Sequence, residues 1–299
     1  MSFLGSCARR PTRGPVVGVG SPRLVLVGTP IGNLGDLSAR VAEAFAAADV
    51  VACEDTRRTG KLLAHIGVRA PRLLRLDEHT EFELGPQILE RISNGEVVAV
   101  ASDAGMPGLS DPGARVASLV AQAGFQIEVI PGPFAAAVAL VGSGLLTHSG
   151  RFCFEGFLPR KGPDRAARLR ELIGESRTMV LYEAPHRLER TLGDLAQVLG
   201  THRQVALCRE LTKLHEETWR GSLEQAAERC QQVAPRGEYV LVVDGAPALP
   251  EATDETLVAE LRAALTAGAT RRDAAVQVAQ QYGVAPNRVK RLLTQIDAS

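Results

Sequence analysis

Several signatures of common protein classes are absent from this chain of 299 residues. Lysine plus arginine and aspartate plus glutamate both total 34, so no overall charge draws the protein toward nucleic acid, and a contact with a polyanion must come from a local patch. No apolar run reaches the roughly eighteen residues of a membrane-spanning helix, so we expect no membrane partner. The first 22 residues lack the apolar core of a secretory signal, and we expect a flexible tail there.

Cysteine and histidine are arranged unlike metal or redox sites. The five cysteines form no Cys-x-x-Cys pair, and Cys53, Cys153 and Cys208 lie in apolar, strand-like runs, which is typical of reduced core thiols in a cytoplasmic protein. The six histidines are scattered without His-x-x-x-His spacing, so we expect no bound metal.

The first glycine-rich loop matches none of the common nucleotide-binding motifs. Gly28–Asp36 reads Gly-x-x-x-Gly-x-x-Gly, which differs from the Gly-x-Gly-x-x-Gly of dinucleotide-binding folds and lacks the Gly-Lys-Ser/Thr ending of a phosphate-binding loop. The chain also has no Gly-x-Ser-x-Gly elbow of a serine hydrolase. For this loop alone, an ordinary strand-to-helix turn and a ligand-binding loop both stay open.

What the chain does contain is a regular alternation of apolar runs with helical patterns. This alternation predicts an α/β fold with a mainly parallel sheet and helices on both faces. The predicted strands of the first part are Leu24–Val27, Val50–Cys53, Leu73–Leu76, Val97–Ala101 and Ile127–Ile130. The predicted helices are Leu37–Ala47, Arg57–Ile66, Glu81–Ser93 and Gly113–Ala123.

A second α/β part begins near Arg151. Its predicted strands are Phe152–Phe154, Met179–Tyr182, Val205–Cys208, Thr218–Arg220 and Tyr239–Val243, with helices at Asp164–Ile173, Arg187–Leu199 and Leu223–Gln232. The stretch Glu210–Glu217 is too short for a crossover helix, so we expect an antiparallel pair there.

Beyond a linker-like segment the sequence is helical, at Asp254–Ala267, Thr270–Tyr282 and Asn287–Ile296. The last two resemble a helix-turn-helix with excess cations, and a small packed helical cap is an equal alternative. We therefore divide the chain into a tail (1–22), two α/β domains (23–145 and 146–247) and a helical appendage (248–299).

The most informative segment is Ser102–Gly113, which follows a buried strand and holds three glycines and two prolines. Ser110 or Asp111 is expected to cap the next helix, with Pro112 in its first turn. Glycines allow a ligand to approach the backbone, and open α/β sheets bind small molecules at the carboxyl ends of their strands. The segment therefore predicts a small-molecule site.

Charged clusters follow other strands as well. Cys53–Thr59 and Asp77–Glu81 each favour a solvated helix cap when taken singly, but three polar loops at one sheet edge indicate a site. In the second part, cations and acids at Tyr182–Arg187 and Cys208–Lys213 form either an ion-pair network or a cationic wall for a polyanion. Aromatic and basic residues alternate in Phe154–Gly162, which suits stacking on unpaired bases.

Taken together and in order, these motifs resemble the bacterial 16S ribosomal RNA cytidine 2′-O-methyltransferases of the tetrapyrrole-methylase-like superfamily. The likeness covers about Arg23 to Gly245 and rests on Gly28–Asp36, Glu54–Arg57, Ser102–Gly113, Pro131–Pro133, Tyr182–Arg187 and Arg209–Lys213. Phe134 stands where a small residue is expected.

The resemblance implies two α/β domains with S-adenosylmethionine in the cleft between them, and a homodimer acting on 16S ribosomal RNA of the small subunit in the cytoplasm. Carried over residue by residue, the expected cofactor ligands are Pro30, Asp103, Gly105, Tyr182 and Leu211. A helix N-terminus behind Ser110 and Asp111 is expected to meet the cofactor's carboxylate, which places Ser110 in the same set.

For catalysis we expect a carboxylate to accept the proton of the ribose hydroxyl and a cation to lower its pKa and hold the adjacent phosphate. Glu183 or Glu210 is the expected base, and Arg209 or Lys213 the expected cation. Rival hypotheses are a methylase of tetrapyrroles or another small molecule, a non-catalytic RNA-binding module and, more distantly, a nucleotide-dependent dehydrogenase. The basic residues disfavour a small-molecule methylase, and the glycine and proline loops disfavour a non-catalytic RNA-binding module. The absence of the Gly-x-Gly-x-x-Gly fingerprint disfavours a dehydrogenase.

Overall fold

The computed structural model describes residues 21–69, 71–145, 150–247 and 252–296, which form two compact units. The first unit extends to Ile173 and resumes over Arg177–Asp244. The second unit combines Gly174–Ser176 with the segment from Gly245 onward. The expected tail at 1–22 lies almost wholly outside the described residues, as do 146–149 at the expected domain boundary. The division of the chain at 145 and 247 stays a prediction.

The first sheet is parallel throughout and lies in the first unit, as the alternating pattern predicts. Its strands pair in the order β3-β2-β4-β1-β5. Every residue of β4 is buried because helices cover both faces. The strands are β1 (Arg23–Val27), β2 (Val50–Cys53), β3 (Arg72–Arg75), β4 (Val97–Ala101) and β5 (Gln126–Ile130), and the helices are α1 (Ala39–Ala47), α2 (Thr56–His65), α3 (Glu81–Ser93) and α4 (Ala114–Gln122). We call these elements the first lobe.

The second sheet is mixed, and the expected antiparallel pair is confirmed. Its order is β6-β7-β10-β8-β9, with β6 and β7 parallel and the other neighbours antiparallel. The strands are β6 (Phe152–Phe157), β7 (Thr178–Glu183), β8 (Gln204–Arg209), β9 (Glu217–Ser222) and β10 (Tyr239–Val243), preceded by helix α5 (Ala135–Ser143) and accompanied by α6 (Gly162–Glu171), α7 (Pro185–Leu199) and α8 (Leu223–Gln232). We call β6–β10 with α6–α8 the second lobe.

Helix α5 connects the two lobes. Ala136, Ala139 and Leu140 of this helix are buried against Val180, Ala206 and Val242 of the second sheet. The opposite face of that sheet packs on α7 and α8 through a separate core that includes Leu181, Leu207 and Leu241. Since side chains alternate along a strand, successive residues of β7 lie on opposite faces of the sheet, and so do successive residues of β8.

The second unit holds the predicted C-terminal helices. They are α9 (Asp254–Thr266), α10 (Arg271–Tyr282) and α11 (Pro286–Ile296), packed around Leu257, Leu261 and Val278. Thr253 and Thr270 accept hydrogen bonds from backbone N–H groups at the starts of α9 and α10. Among the helices of the described ranges, none has the length and apolar content of a bilayer-spanning segment.

A candidate ligand cleft between two α/β lobes

A cavity of about 280 Å³ lies between the carboxyl edge of the first sheet and the α5 face of the second. From the first lobe it is lined by the loop after β4, including Gly105, Ser110 and Asp111. From the second lobe it is lined by the ends of β7 and β8 and the loop that follows, including Tyr182 and Leu211. The expected cleft therefore exists, and it brings together four of the six predicted cofactor ligands.

Glycine is required where the first-lobe loops meet. Thr29 and Gly105 exchange two backbone hydrogen bonds, of 2.9 and 3.1 Å, which tie the loop after β1 to the loop after β4. A Cβ at Gly28 would lie 2.5 Å from the backbone nitrogen of Gly132, so these two segments touch backbone to backbone. Gly105 has φ +91°, a left-handed conformation that favours glycine.

An aromatic cluster forms one wall of the cleft. The ring centroids of Phe134 and Phe154 are 5.1 Å apart, those of Phe154 and Tyr182 5.0 Å, and those of Phe157 and Tyr182 5.6 Å, all edge to face. Burial raises the pKa of Tyr182 to about 12, so its hydroxyl stays protonated. Of the aromatic residues in the segment Phe154–Gly162, Phe157 is 53% exposed whereas Phe154 is half-buried.

Asp111, expected from the sequence only as a helix cap, lines the cavity. Burial, with the charge of Glu54, raises the pKa of Asp111 to about 7. Burial and the charge of Asp103 also raise the pKa of Glu54. A carboxylate whose pKa is raised by the charge of a neighbouring carboxylate marks a place where a cation is favoured. S-adenosylmethionine carries a sulfonium and an ammonium group, so this part of the cleft fits the implied cofactor.

The helix N-terminus behind the Ser102–Gly113 loop differs from expectation. Helix α4 begins after Gly113, and neither Ser110 nor Asp111 caps it, nor does Pro112 fall in its first turn. Instead, Glu81 Oε1 accepts hydrogen bonds from the backbone nitrogens of Gly113 (2.9 Å), Arg115 (3.1 Å) and Val116 (3.3 Å). The first turn of α4 is therefore satisfied by a carboxylate of the protein itself. These three N–H groups are already paired, and the prediction that this helix end receives the cofactor's carboxylate stays a prediction.

The other two predicted cofactor ligands lie beside the main cavity. Pro30 and Asp103 line a neighbouring pocket of about 270 Å³ together with Arg58 and Lys61. Asp103 accepts a hydrogen bond from the backbone nitrogen of Asp55 (3.0 Å) and lies 3.3 Å from a guanidinium nitrogen of Arg58. Asp55 caps α2 by accepting from the nitrogen of Arg57, as the sequence allows.

The structure separates the four predicted catalytic residues into two pairs. Glu183 and Arg209 belong to the sheet face that packs on α7 and α8, because Tyr182 and Cys208 occupy the cleft face of the same strands. The Glu183 carboxylate is fully buried, touches the wall of the cleft and contacts Arg187 at 3.0 Å. It also accepts hydrogen bonds from Thr191 Oγ1 (2.5 Å) and the nitrogen of Ala184 (2.9 Å).

Glu210 and Lys213 form the second pair, at the rim of the cleft. Lys213 Nζ donates to Glu210 Oε1 (2.9 Å) and to Glu238 Oε2 (2.8 Å). The hydrogen bond from Lys213 lowers the pKa of Glu210, with a further contribution from the backbone nitrogen of Glu238. Only Lys213 of this pair lines the cavity, with Glu238 beside it.

Backbone strain is concentrated at this cleft. Within the described ranges, three non-glycine residues adopt a positive φ, namely Ser110 (64°), Glu210 (50°) and Thr212 (65°). Ser110 lines the cavity, and the other two flank the cavity residue Leu211. The Thr212 hydroxyl oxygen is also buried without a hydrogen-bond partner among the described residues. Strained, overdetermined backbone of this kind is typical of ligand sites. The described part of the chain contains no cluster of three metal-ligating side chains.

Comparison with known proteins connects the cleft to methyl transfer. Residues 23–227 match the family model of the tetrapyrrole (corrin/porphyrin) methylases. The chain is 41% identical over 277 residues to a protein of Synechocystis sp. named ribosomal RNA small subunit methyltransferase I, covering 92% of this chain and 98% of that protein. A protein of the same name from Mycobacterium tuberculosis is 44% identical, covering 88% of this chain and 90% of its own length.

Solved structures share the fold at low sequence identity. A uroporphyrin-III C-methyltransferase from Thermus thermophilus, complexed with S-adenyl homocysteine, is similar with a TM-score of 0.53 and 21% identity, covering 74% of this chain and 97% of that one. A cobalt precorrin-4 methyltransferase gives a TM-score of 0.57 at 17% identity, covering 77% and 98%.

Proposed function

The chain belongs to the tetrapyrrole (corrin/porphyrin) methylase family, and from that premise we propose that it methylates the ribose 2′-hydroxyl of a cytidine in the decoding region of 16S ribosomal RNA. The observation that carries this proposal is the likeness, over 92% of the chain, to a protein named as a methyltransferase of small-subunit ribosomal RNA. The cofactor is S-adenosylmethionine. When bound, it supplies an electrophilic methyl group whose transfer depends on alignment with the attacking oxygen.

We propose that the cleft residues hold the cofactor in two ways. Gly105 and Ser110 offer backbone in left-handed conformations, and Tyr182 and Leu211 supply an aromatic edge and an apolar surface for the adenine. Asp111 supplies the negative charge that a sulfonium prefers. Pro30 and Asp103 extend this site into the neighbouring pocket.

Among the predicted catalytic residues, Lys213 is supported most directly. It lines the cleft and carries its charge between Glu210 and Glu238, so a hydroxyl or phosphate of the substrate would meet a fixed cation. Glu210 stays the proposed proton acceptor, although its lowered pKa makes it a weak base. Glu183 is a poorer candidate because three groups already hold its oxygens, and its side chain positions the start of α7 instead.

Two further features support the RNA substrate and the dimer. Phe157 is exposed at the mouth of the cavity, where an unpaired base could stack against it. Val138 and Val141 of the apolar helix α5 are 38% and 76% exposed. Exposed apolar side chains on one helix favour a contact with a second copy of the chain. Ribosomal RNA as substrate, within the small subunit, implies action in the cytoplasm.

Tritiated methyl transfer to small ribosomal subunits tests the proposal. Subunits come from a strain that lacks the activity, and the modified sugar is then mapped. We expect one methylated cytidine ribose, with a loss of about 10²–10⁴-fold in kcat for Lys213→Ala and Glu210→Gln. Glu183→Gln serves as the comparison. It should lower the free energy of unfolding and leave the pH profile of kcat unchanged.

Two results would contradict the assignment. Normal rates in Lys213→Ala and Glu210→Gln would remove the catalytic roles of both residues. Methylation of a tetrapyrrole acceptor in place of RNA would replace the substrate by that of the alternative, a small-molecule methylase.

A further inference from the structure

A second cavity, of about 390 Å³, lies in the second lobe on the sheet face opposite the cleft. Its walls come from the adjoining ends of β8, β9 and β10, from the last turns of α8 and from the loop 233–236. The proposed methyl transfer makes no use of this cavity, although Arg209, one of the predicted catalytic residues, lines it.

The cavity carries an excess of positive charge. Three arginines line it, whereas Glu217 is the one acidic lining residue. Both oxygens of Glu217 are shared, one with Arg229 at 2.5 Å and the other with Arg209 at 3.3 Å. Arg236 is exposed and forms no ion pair with any residue of the described ranges. The Nε atom of Arg209 is buried with no acceptor among those residues. Uncompensated guanidinium donors of this kind favour an anion, and phosphate above all.

An aromatic surface lies beside these cations. The half-buried ring of Trp219 lies so close to the strand that a Cβ at Gly221 would come within 2.5 Å of its Cη2 atom. The guanidinium carbon of Arg229 is 5.9 Å from the ring centroid. A flat apolar face lies next to Arg236, which has no ion pair within the described ranges, and to Arg209, whose Nε has no acceptor there. This arrangement matches the two parts of a nucleotide, because the base stacks on the ring while the phosphate meets the arginines.

The position of the cavity connects it to the cleft. Tyr239, the first residue of β10, lines both cavities. We propose that the cavity lined by Arg209, Trp219 and Arg236 binds one ribonucleotide of the RNA substrate, with its base on Trp219 and its phosphate on the two arginines. The identity of the ligand as substrate RNA rests on the proposed function. Nucleotide binding by the cavity itself does not.

The chain has a single tryptophan, so intrinsic tryptophan fluorescence reports on this cavity alone. The probe is cytidine 5′-monophosphate, which lacks the adenine that the cleft is proposed to hold. We expect saturable quenching in the full chain, with an affinity that falls as salt rises. Arg236→Ala should weaken binding about tenfold, because it removes a phosphate contact without breaking an ion pair. Arg69→Ala is the matched control, because Arg69 is likewise exposed, forms no ion pair within the described ranges and does not line the cavity.

In the fluorescence experiment, three outcomes would overturn the inference: no saturable quenching, equal affinity of wild type and Arg236→Ala, or sulfate binding as tightly as the nucleotide, which would indicate a plain anion site. In methyl transfer, Arg236→Ala should raise the KM for RNA about tenfold and leave kcat and the cofactor affinity unchanged. An unchanged KM in an enzyme that does methylate RNA defeats the inference alone. A chain that binds the nucleotide but never methylates RNA defeats the proposed function alone.

Discussion

Removal of the Glu81 carboxylate should loosen the loop that forms the first-lobe wall of the cleft. This side chain, in the first turn of α3, is the acceptor for three backbone N–H groups at the start of α4. Loss of a helix cap costs about 0.5–2 kcal/mol. Loss of a negative charge opposite the helix dipole adds about 0.3–1 kcal/mol. We therefore expect Glu81→Ala to lower the free energy of unfolding by about 2 kcal/mol, and Glu81→Gln, which keeps an acceptor oxygen, by about 0.5 kcal/mol.

Urea denaturation followed by Trp219 fluorescence measures this effect, because Trp219 belongs to the same compact unit. For a unit of this size, 2 kcal/mol corresponds to a decrease in Tm of about 4–8 °C. Glu83→Ala is the matched control, since Glu83 lies exposed in the same helical turn. The affinity for S-adenosylmethionine, measured by calorimetry, should fall in Glu81→Ala and hold in Glu83→Ala. Equal stability of the two alanine variants would refute the reasoning.

Further predictions concern the strained and charged residues of the cleft. Asp111→Asn should weaken S-adenosylmethionine binding in calorimetry, and wild-type affinity should rise as pH increases through about 7, where the carboxyl ionises. Because the raised pKa of Asp111 makes its ionisation unfavourable in the folded protein, the same variant should be more stable than wild type at pH 8 and equal to it near pH 3; a pH-independent difference would contradict this. Thr212→Val, which removes a buried hydroxyl without a partner, should raise the free energy of unfolding by about 1 kcal/mol in urea melts, and a loss of stability would show that the hydroxyl is satisfied. Val141→Glu should shift the sedimentation coefficient from that of the proposed dimer to that of a monomer, and no shift would remove α5 from the proposed interface.

Much of the fold follows from local sequence. Apolar runs such as Val97–Ala101 are buried on both sides in a parallel sheet, so continuous hydrophobicity predicts them. The eight residues Glu210–Glu217 could not hold a crossover helix, which predicted the antiparallel pair of β8 and β9. Both signals lie within the segment they describe.

The site was less predictable because its determinants are distant in sequence. The cap of α4 comes from Glu81, more than thirty residues before the helix, and no local pattern at Ser110 or Asp111 reports it. The sequence alone could have predicted that Glu183 and Tyr182 lie on opposite faces of the sheet, since adjacent residues of a strand face opposite sides. The positive φ of Thr212 leaves no trace in its residue type, because threonine rarely adopts this conformation.

The packing around helix α5 holds the two lobes together at the cleft. The helix leaves the first lobe directly after Pro133 yet buries Ala136, Ala139 and Leu140 against the sheet of the second lobe. Swinging the lobes apart would leave that surface buried, because α5 moves with the second sheet, but it would withdraw Ile31, in the loop after β1, from the same core, at about 1.5–3 kcal/mol for this side chain. This contact favours the closed arrangement, in which Phe157 and Lys213 line the cavity that a ligand has to reach.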